Sequence, residues 1–143
     1  MLAVTSRLVL ALIVVAAAIV VARLLERRKP APPTRDAYPV PAQLDRQDFP
    51  RTDAPWLLVL FSSRTCDSCG PMAIRVRELE SEAVATVDVE ATADEELHRR
   101  YRIEGVPMVV LADGEGVVRA GFVGAVDSWE LEAALADAQA NDA

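Results

Sequence analysis

The chain has 143 residues, 52% of them hydrophobic and 26% charged, which is enough for one ordinary core plus an appendage. Its net charge of −7 is unevenly divided: residues 1–35 hold six basic and one acidic residue (net +5), and residues 36–143 hold nine basic and twenty-one acidic (net −12). An acidic body argues against nucleic acid as a partner, since neutralising phosphates needs a basic surface, and two cysteines are too few for a disulfide framework.

The first element is an unbroken apolar run of fifteen residues, 8–22, between Arg7 and Arg23. As a helix it would rise about 22 Å; with Leu24 and Leu25 added and Arg23 snorkelling it reaches roughly 27 Å, close to a hydrocarbon core. Residues 1–25 therefore read as a single-pass membrane anchor. A cleaved signal peptide ending at Val20-Val21-Ala22 is the competing reading. A buried soluble helix fits less well, because the run is apolar on every face. Arg23, Arg27, Arg28, Lys29 and Arg35 follow the run and only Arg7 precedes it. The positive-inside rule thus favours a cytoplasmic domain, with an extracytoplasmic one as the alternative. The same basic flank suits anionic lipid headgroups.

Residues 26–43 read as a basic, proline-rich linker holding Pro30, Pro32, Pro33, Pro39 and Pro41. Extended at about 3.1 Å per residue, 29–43 would span up to roughly 45 Å. Residues 44–143 have a globular pattern. Residues 57–61 (Leu-Leu-Val-Leu-Phe) form a continuous β-prone run, as expected of a strand buried on both faces. A helix is predicted over 69–83, with Met72, Val76 and Leu79 as its apolar stripe, then a strand over 84–89 and a charged helix over 94–101. His98 lies in that second helix and reads as a solvated surface residue. Residues 108–111 and 117–123 flank the turn Asp113-Gly114-Glu115-Gly116 and predict a hairpin. Asp127, with Glu130 three residues on, is a capping box opening a last helix over 128–138. The order strand, helix, strand, helix, strand, strand, helix implies an α/β domain: a mixed central sheet, first pair parallel and last pair antiparallel, flanked by helices on both faces.

Chemistry concentrates at Cys66-Asp67-Ser68-Cys69, between the first strand and the helix that follows. That position places Cys66 at a helix N-terminus, where unpaired N–H groups and the helix dipole favour a thiolate, and Cys69 one turn inside. A purely structural disulfide would close too short a loop to stabilise much. Structural zinc would need four ligands, and two cysteines and one histidine do not supply them. A redox-active dithiol is the reading that remains. Asp67 opposes a Cys66 thiolate and Arg64 supports one, so the sign of the net shift stays open.

Over residues 56–138 the chain resembles the thioredoxin family. Cys66 and Cys69 correspond to its redox pair, Ile103-Glu104-Gly105-Val106-Pro107 to the segment entering its cis-proline, and Gly121-Phe122-Val123-Gly124-Ala125 to the end of its last strand. The resemblance implies a thioredoxin-like fold and thiol-disulfide oxidoreductase activity without cofactor or metal: Cys66 attacks a protein disulfide and Cys69 resolves the intermediate. It also implies a cis Val106–Pro107 bond, with the Val106 backbone pairing to substrate, against a trans proline opening an edge strand. Protein disulfides and an unidentified electron donor or acceptor are the implied partners. A thioredoxin-like binding adaptor with non-catalytic cysteines is the rival function. An electron supplier for the maturation of secreted proteins or cytochromes is a further variant.

The sequence also departs from the family pattern. Asp67-Ser68 stands between the cysteines, Gly70-Pro71 follows them, Thr65 precedes them, and Ile74 replaces the helix-kinking proline. Leu60 stands where the family buries an acid, which leaves Glu90 as a candidate for deprotonating Cys69. These changes favour a dedicated redox partner over a general thioredoxin reductase.

Overall fold

The computed structural model describes residues 38–142 together with Val15, Ala16 and Ala18. Apart from those three, the apolar run and the linker as far as residue 37 lie outside the described residues. Among the described residues no helix is long and apolar enough to cross a membrane.

Strand β1 (Trp56–Ser62) is buried along its whole length, because it lies inside the sheet with a strand on either side and both faces covered. Strand β2 (Val84–Glu90) pairs with it in parallel, and β3 (Met108–Asp113) pairs on the other side, antiparallel. Strand β4 (Val118–Val123) follows from the hairpin, giving the order β2-β1-β3-β4. Alternation along β1 sends Trp56, Leu58 and Leu60 to one face, where they pack with Met72, Val76 and Leu131. Leu57, Val59 and Phe61 go to the other, against Val89, Met108, Leu97 and Tyr101. Helices α1 (Cys69–Glu78) and α3 (Ser128–Asp142) thus cover the first face and α2 (Glu95–Arg100) the second.

Several element ends differ from the sequence reading. Helix α1 stops at Glu78 rather than 83, because Leu79 N–H and Glu80 N–H bond back to Val76 O and Arg77 O at 3.1 Å, closing a tight last turn. Helix α3 runs on past 138. The capping box is present in part: Glu130 Oε2 accepts from Asp127 N–H at 3.1 Å, while the Asp127 carboxylate lies 3.8 Å from Arg75. His98 is not a solvated surface residue. Its Nε2 lies 2.9 Å from Val89 O and its ring stands edge-on to Phe61 at 5.4 Å, because α2 packs across the end of β2.

Residues 38–43, read as spacer, are seated on the domain. Val118 N–H bonds to Ala42 O at 3.1 Å and Leu44 N–H to Gly116 O at 2.8 Å, so this segment runs antiparallel along the outer edge of β4. The ring of Tyr38 lies against Gly105, where a Cβ would stand 3.0 Å from it, and Val40 fills the space over Gly121, where a Cβ would stand 2.4 Å from Val40 Cγ1. The start of the β4 edge is therefore covered by backbone hydrogen bonds, and two glycines leave room for Tyr38 and Val40.

Candidate active site

The chain leaves β1 at Ser62 and turns through residues 63–68 before α1 begins. Cys66 N–H bonds to Ser63 O at 3.1 Å, Cys69 N–H to Cys66 O at 3.2 Å and Met72 N–H to Ser68 O at 3.2 Å. Helix α1 consequently starts at Cys69, with Ser68 as its cap, and Cys66 lies in the turn ahead of it rather than in the helix. Pro71 falls in the first helical turn, where a missing N–H costs no helical bond. The two cysteines form a disulfide with their Cα atoms 5.4 Å apart. Cys66 is half-buried, with Ser68 Oγ 3.6 Å from its sulfur, whereas Cys69 is only 4% exposed. That asymmetry leaves one sulfur accessible and shelters the other.

Beside the disulfide is an open cleft of about 410 Å³ lined by Ser62, Arg64, Cys66, Cys69, Asp88 and Glu90, among others. Two carboxylates meet there with different hydrogen-bond partners. Glu90 accepts from Arg64 N–H at 3.2 Å and Ala93 N–H at 3.1 Å and lies 3.4 Å from Arg64 Nε. Burial pushes its carboxyl up, but the N–H groups of Thr92, Arg64 and Ala93, with the Arg64 charge, outweigh that and hold it below the ordinary range. Glu90 thus reaches the cleft that holds Cys69, but as an anion already loaded with donors. Asp88, not singled out by the sequence, accepts one hydrogen bond from Ser62 Oγ at 2.5 Å.

Val106 and Pro107 enter from the opposite side. Their peptide bond is cis. Met108 pairs with Phe61, so Pro107 lies at the end of the sheet where β1 gives way to the dithiol turn. Pro107 is buried and Val106 half-buried. Gly124 N–H donates to Pro107 O at 2.8 Å, which requires Gly124 at φ +91°, a conformation that L side chains rarely adopt. Among the described residues no group of three or more His, Cys, Asp or Glu is arranged to hold a metal ion.

This geometry, a disulfide in the turn before a helix with a cis-proline at the same sheet end, has counterparts elsewhere. A family model described as Thioredoxin-like domain matches residues 42–139. The chain belongs to the thioredoxin-like domain family. Among solved structures, it is similar to the germline-specific thioredoxin Deadhead of Drosophila melanogaster, at 25% identity and TM-score 0.52 over 60% of this chain and 83% of that one. A point mutant of thioredoxin from Halobacterium salinarum gives 24% identity and TM-score 0.51 over 57% and 73%. Thioredoxin-2, described as a component of the malaria parasite protein secretion machinery, gives 16% and 0.53 over 58% and 82%. The latter two likenesses show the fold alone. No curated protein matches the chain. The thioredoxin-like domain thus carries its cysteine pair at disulfide distance, an arrangement that fits thiol-disulfide exchange.

Proposed function

We propose that the protein is a thiol-disulfide oxidoreductase in which Cys66 is the nucleophile and Cys69 the resolving thiol. The observation that carries this reading is the asymmetry of the pair: Cys66 accessible in the turn ahead of α1, Cys69 4% exposed at the start of the helix. In the reduced state the Cys66 thiolate attacks one sulfur of a protein disulfide, forming a mixed disulfide and releasing the other sulfur as a thiolate. Cys69 then attacks Cys66, so the substrate leaves with both sulfurs reduced and Cys66–Cys69 is oxidised. A dithiol donor returns the two electrons. Val106 and Pro107 are proposed to hold the substrate by strand addition to the Val106 backbone.

The apolar run of residues 8–22 and its basic flank support a further part of the proposal, that residues 1–25 tether this activity to a membrane with the domain on the cytoplasmic side. Protease accessibility in intact cells tests the side. Cys69→Ser in the full chain tests the chemistry: it should accumulate mixed disulfides through Cys66, whereas Cys66→Ser should not. Equal, low trapping by both variants would sink the redox reading and favour an adaptor.

A further inference from the structure

The proposed reaction leaves unassigned how Cys69, buried and therefore inclined to keep its proton, becomes nucleophilic at neutral pH. Leu60 is fully buried and carries no titratable group. The register places Asp88 of β2 directly beside Leu60 and Glu90 beside Ser62. Paired residues of parallel strands share a face, so Asp88 and Glu90 stand on the α1 side of the sheet with Leu60 and Ser62. Asp88 lines the cleft that Cys69 lines, and it also borders the adjoining one with Ala73 and Val76, so it sits along the edge of α1 that begins at Cys69.

Two further observations separate Asp88 from Glu90. Ser62 is 4% exposed and its hydroxyl donates to Asp88 Oδ1, which orients this exposed carboxylate at the rim of the cleft. Among the described residues no donor hydrogen-bonds Oδ2, which leaves that oxygen free to take a proton. Glu90, by contrast, is held by the Arg64 and Ala93 N–H groups and the Arg64 guanidinium.

We infer that Asp88 is the proton acceptor for Cys69 during resolution, with Ser62 as the residue that positions it. The inference rests on the oxidoreductase reading above. The Cys69 proton passes to the Asp88 carboxylate as the Cys69 sulfur attacks Cys66. The Cys66–substrate bond breaks, and the departing substrate sulfur keeps the electron pair and takes up a proton from Asp88 or solvent. The charged and titratable groups around Asp88 are Arg77 from α1, Glu80 from the turn after it, Arg64, Cys66 and Asp67 from the turn before it, Cys69 at the helix start, and Glu90 from its own strand.

The test uses the full reduced chain and a fluorescent peptide disulfide in single turnover, separating capture by Cys66 from release of the peptide thiol. General-base assistance contributes ~10²- to 10⁴-fold where the base is well placed. Asp88→Asn should therefore slow release at least about tenfold at pH 7 and leave capture unchanged. Its release rate should rise more steeply with pH than that of the native chain, because hydroxide must then take over the lost base's part. Ser62→Ala should give a smaller loss with the same change of profile. The inference is overturned if Asp88→Asn keeps the native rate and profile, if capture and release slow together, or if Glu90→Gln alone produces the loss. A native chain that captures no peptide refutes the oxidoreductase reading, and this inference with it.

Discussion

The turn between β3 and β4 offers a stability test that is independent of the cysteines. Asp113 is 5% exposed, and its Oδ1 accepts from Glu115 N–H at 3.0 Å and Val117 N–H at 2.9 Å. Its Oδ2 accepts from Arg119 Nε at 2.8 Å and lies 2.7 Å from Arg119 Nη2. Asp113→Ala leaves two part-buried amides without an acceptor. At ~1.5 kcal/mol for each hydrogen bond to a charged group, these are worth about 3 kcal/mol. Arg119 is 45% exposed, so its ion pair adds no more than ~1 kcal/mol. The expected loss is therefore about 3–4 kcal/mol. Asp113→Asn keeps the Oδ1 acceptor and gives up the charge, at about 1–2 kcal/mol. Burial raises the Asp113 carboxyl, but hydrogen bonds from Val117, Arg119 and Glu115 outweigh it and hold the folded value low. Between the folded value and ~3.9 the unfolded chain binds more protons. The advantage of Asp over Asn is thus complete above that range and disappears as pH falls through the folded value. Urea denaturation at pH 7 and in acid, followed by tryptophan fluorescence, reads both, since Trp56 is the register partner of Asp113. A loss below ~1 kcal/mol for Asp113→Ala, or an Asp–Asn gap unchanged in acid, would refute the reasoning.

Three further outcomes are expected. Tyr101 donates to Asp48 Oδ2 and accepts from Asp45 N–H at 3.0 Å; burial first, then the Asp48 bond, push its pKa up to about 12. Stability should fall between pH ~10 and that value, as the unfolded chain loses its proton first, and Tyr101→Phe should flatten the slope; identical slopes would contradict this. Gly121→Ala drives a Cβ to 2.4 Å from Val40 Cγ1 and should cost ~1–3 kcal/mol. Adding Val40→Ala should restore most of that loss, and a double variant no better than the single one would count against the packing of residues 38–44. With limiting iodoacetamide and reduced protein, Cys66 should be labelled well before Cys69 by peptide mass spectrometry; the reverse order would overturn their assignment.

What the sequence revealed and what it hid follow from the range of each interaction. The apolar run of β1, the Asp-Gly turn and the Asp127–Glu130 cap are local signals, and each lies in the structure within a few residues of its expected place. The cysteine spacing likewise located the turn before α1. The helix start at Cys69 was harder to see, since C-x-x-C suits both a first helical turn and the single turn that the Cys69 N–H to Cys66 O bond closes. Asp88 escaped notice because its meaning depends on pairing with Leu60, 28 positions away, and a strand read alone gives no register. Residues 38–43 look like spacer by composition. Their seat exists only because Gly105 and Gly121, more than sixty positions downstream, leave space for Tyr38 and Val40.

That seat changes what a tether of this sequence can do. With Tyr38 lodged on Gly105, two residues before Pro107, the described segment begins near the sheet end that carries the sulfurs. Residues 26–37 of the segment read as linker precede the seated part, and twelve extended residues would span at most about 37 Å. Under the proposed tether, a dithiol at this sheet end would stand near its attachment, and disulfides close to the membrane would be the ones it meets.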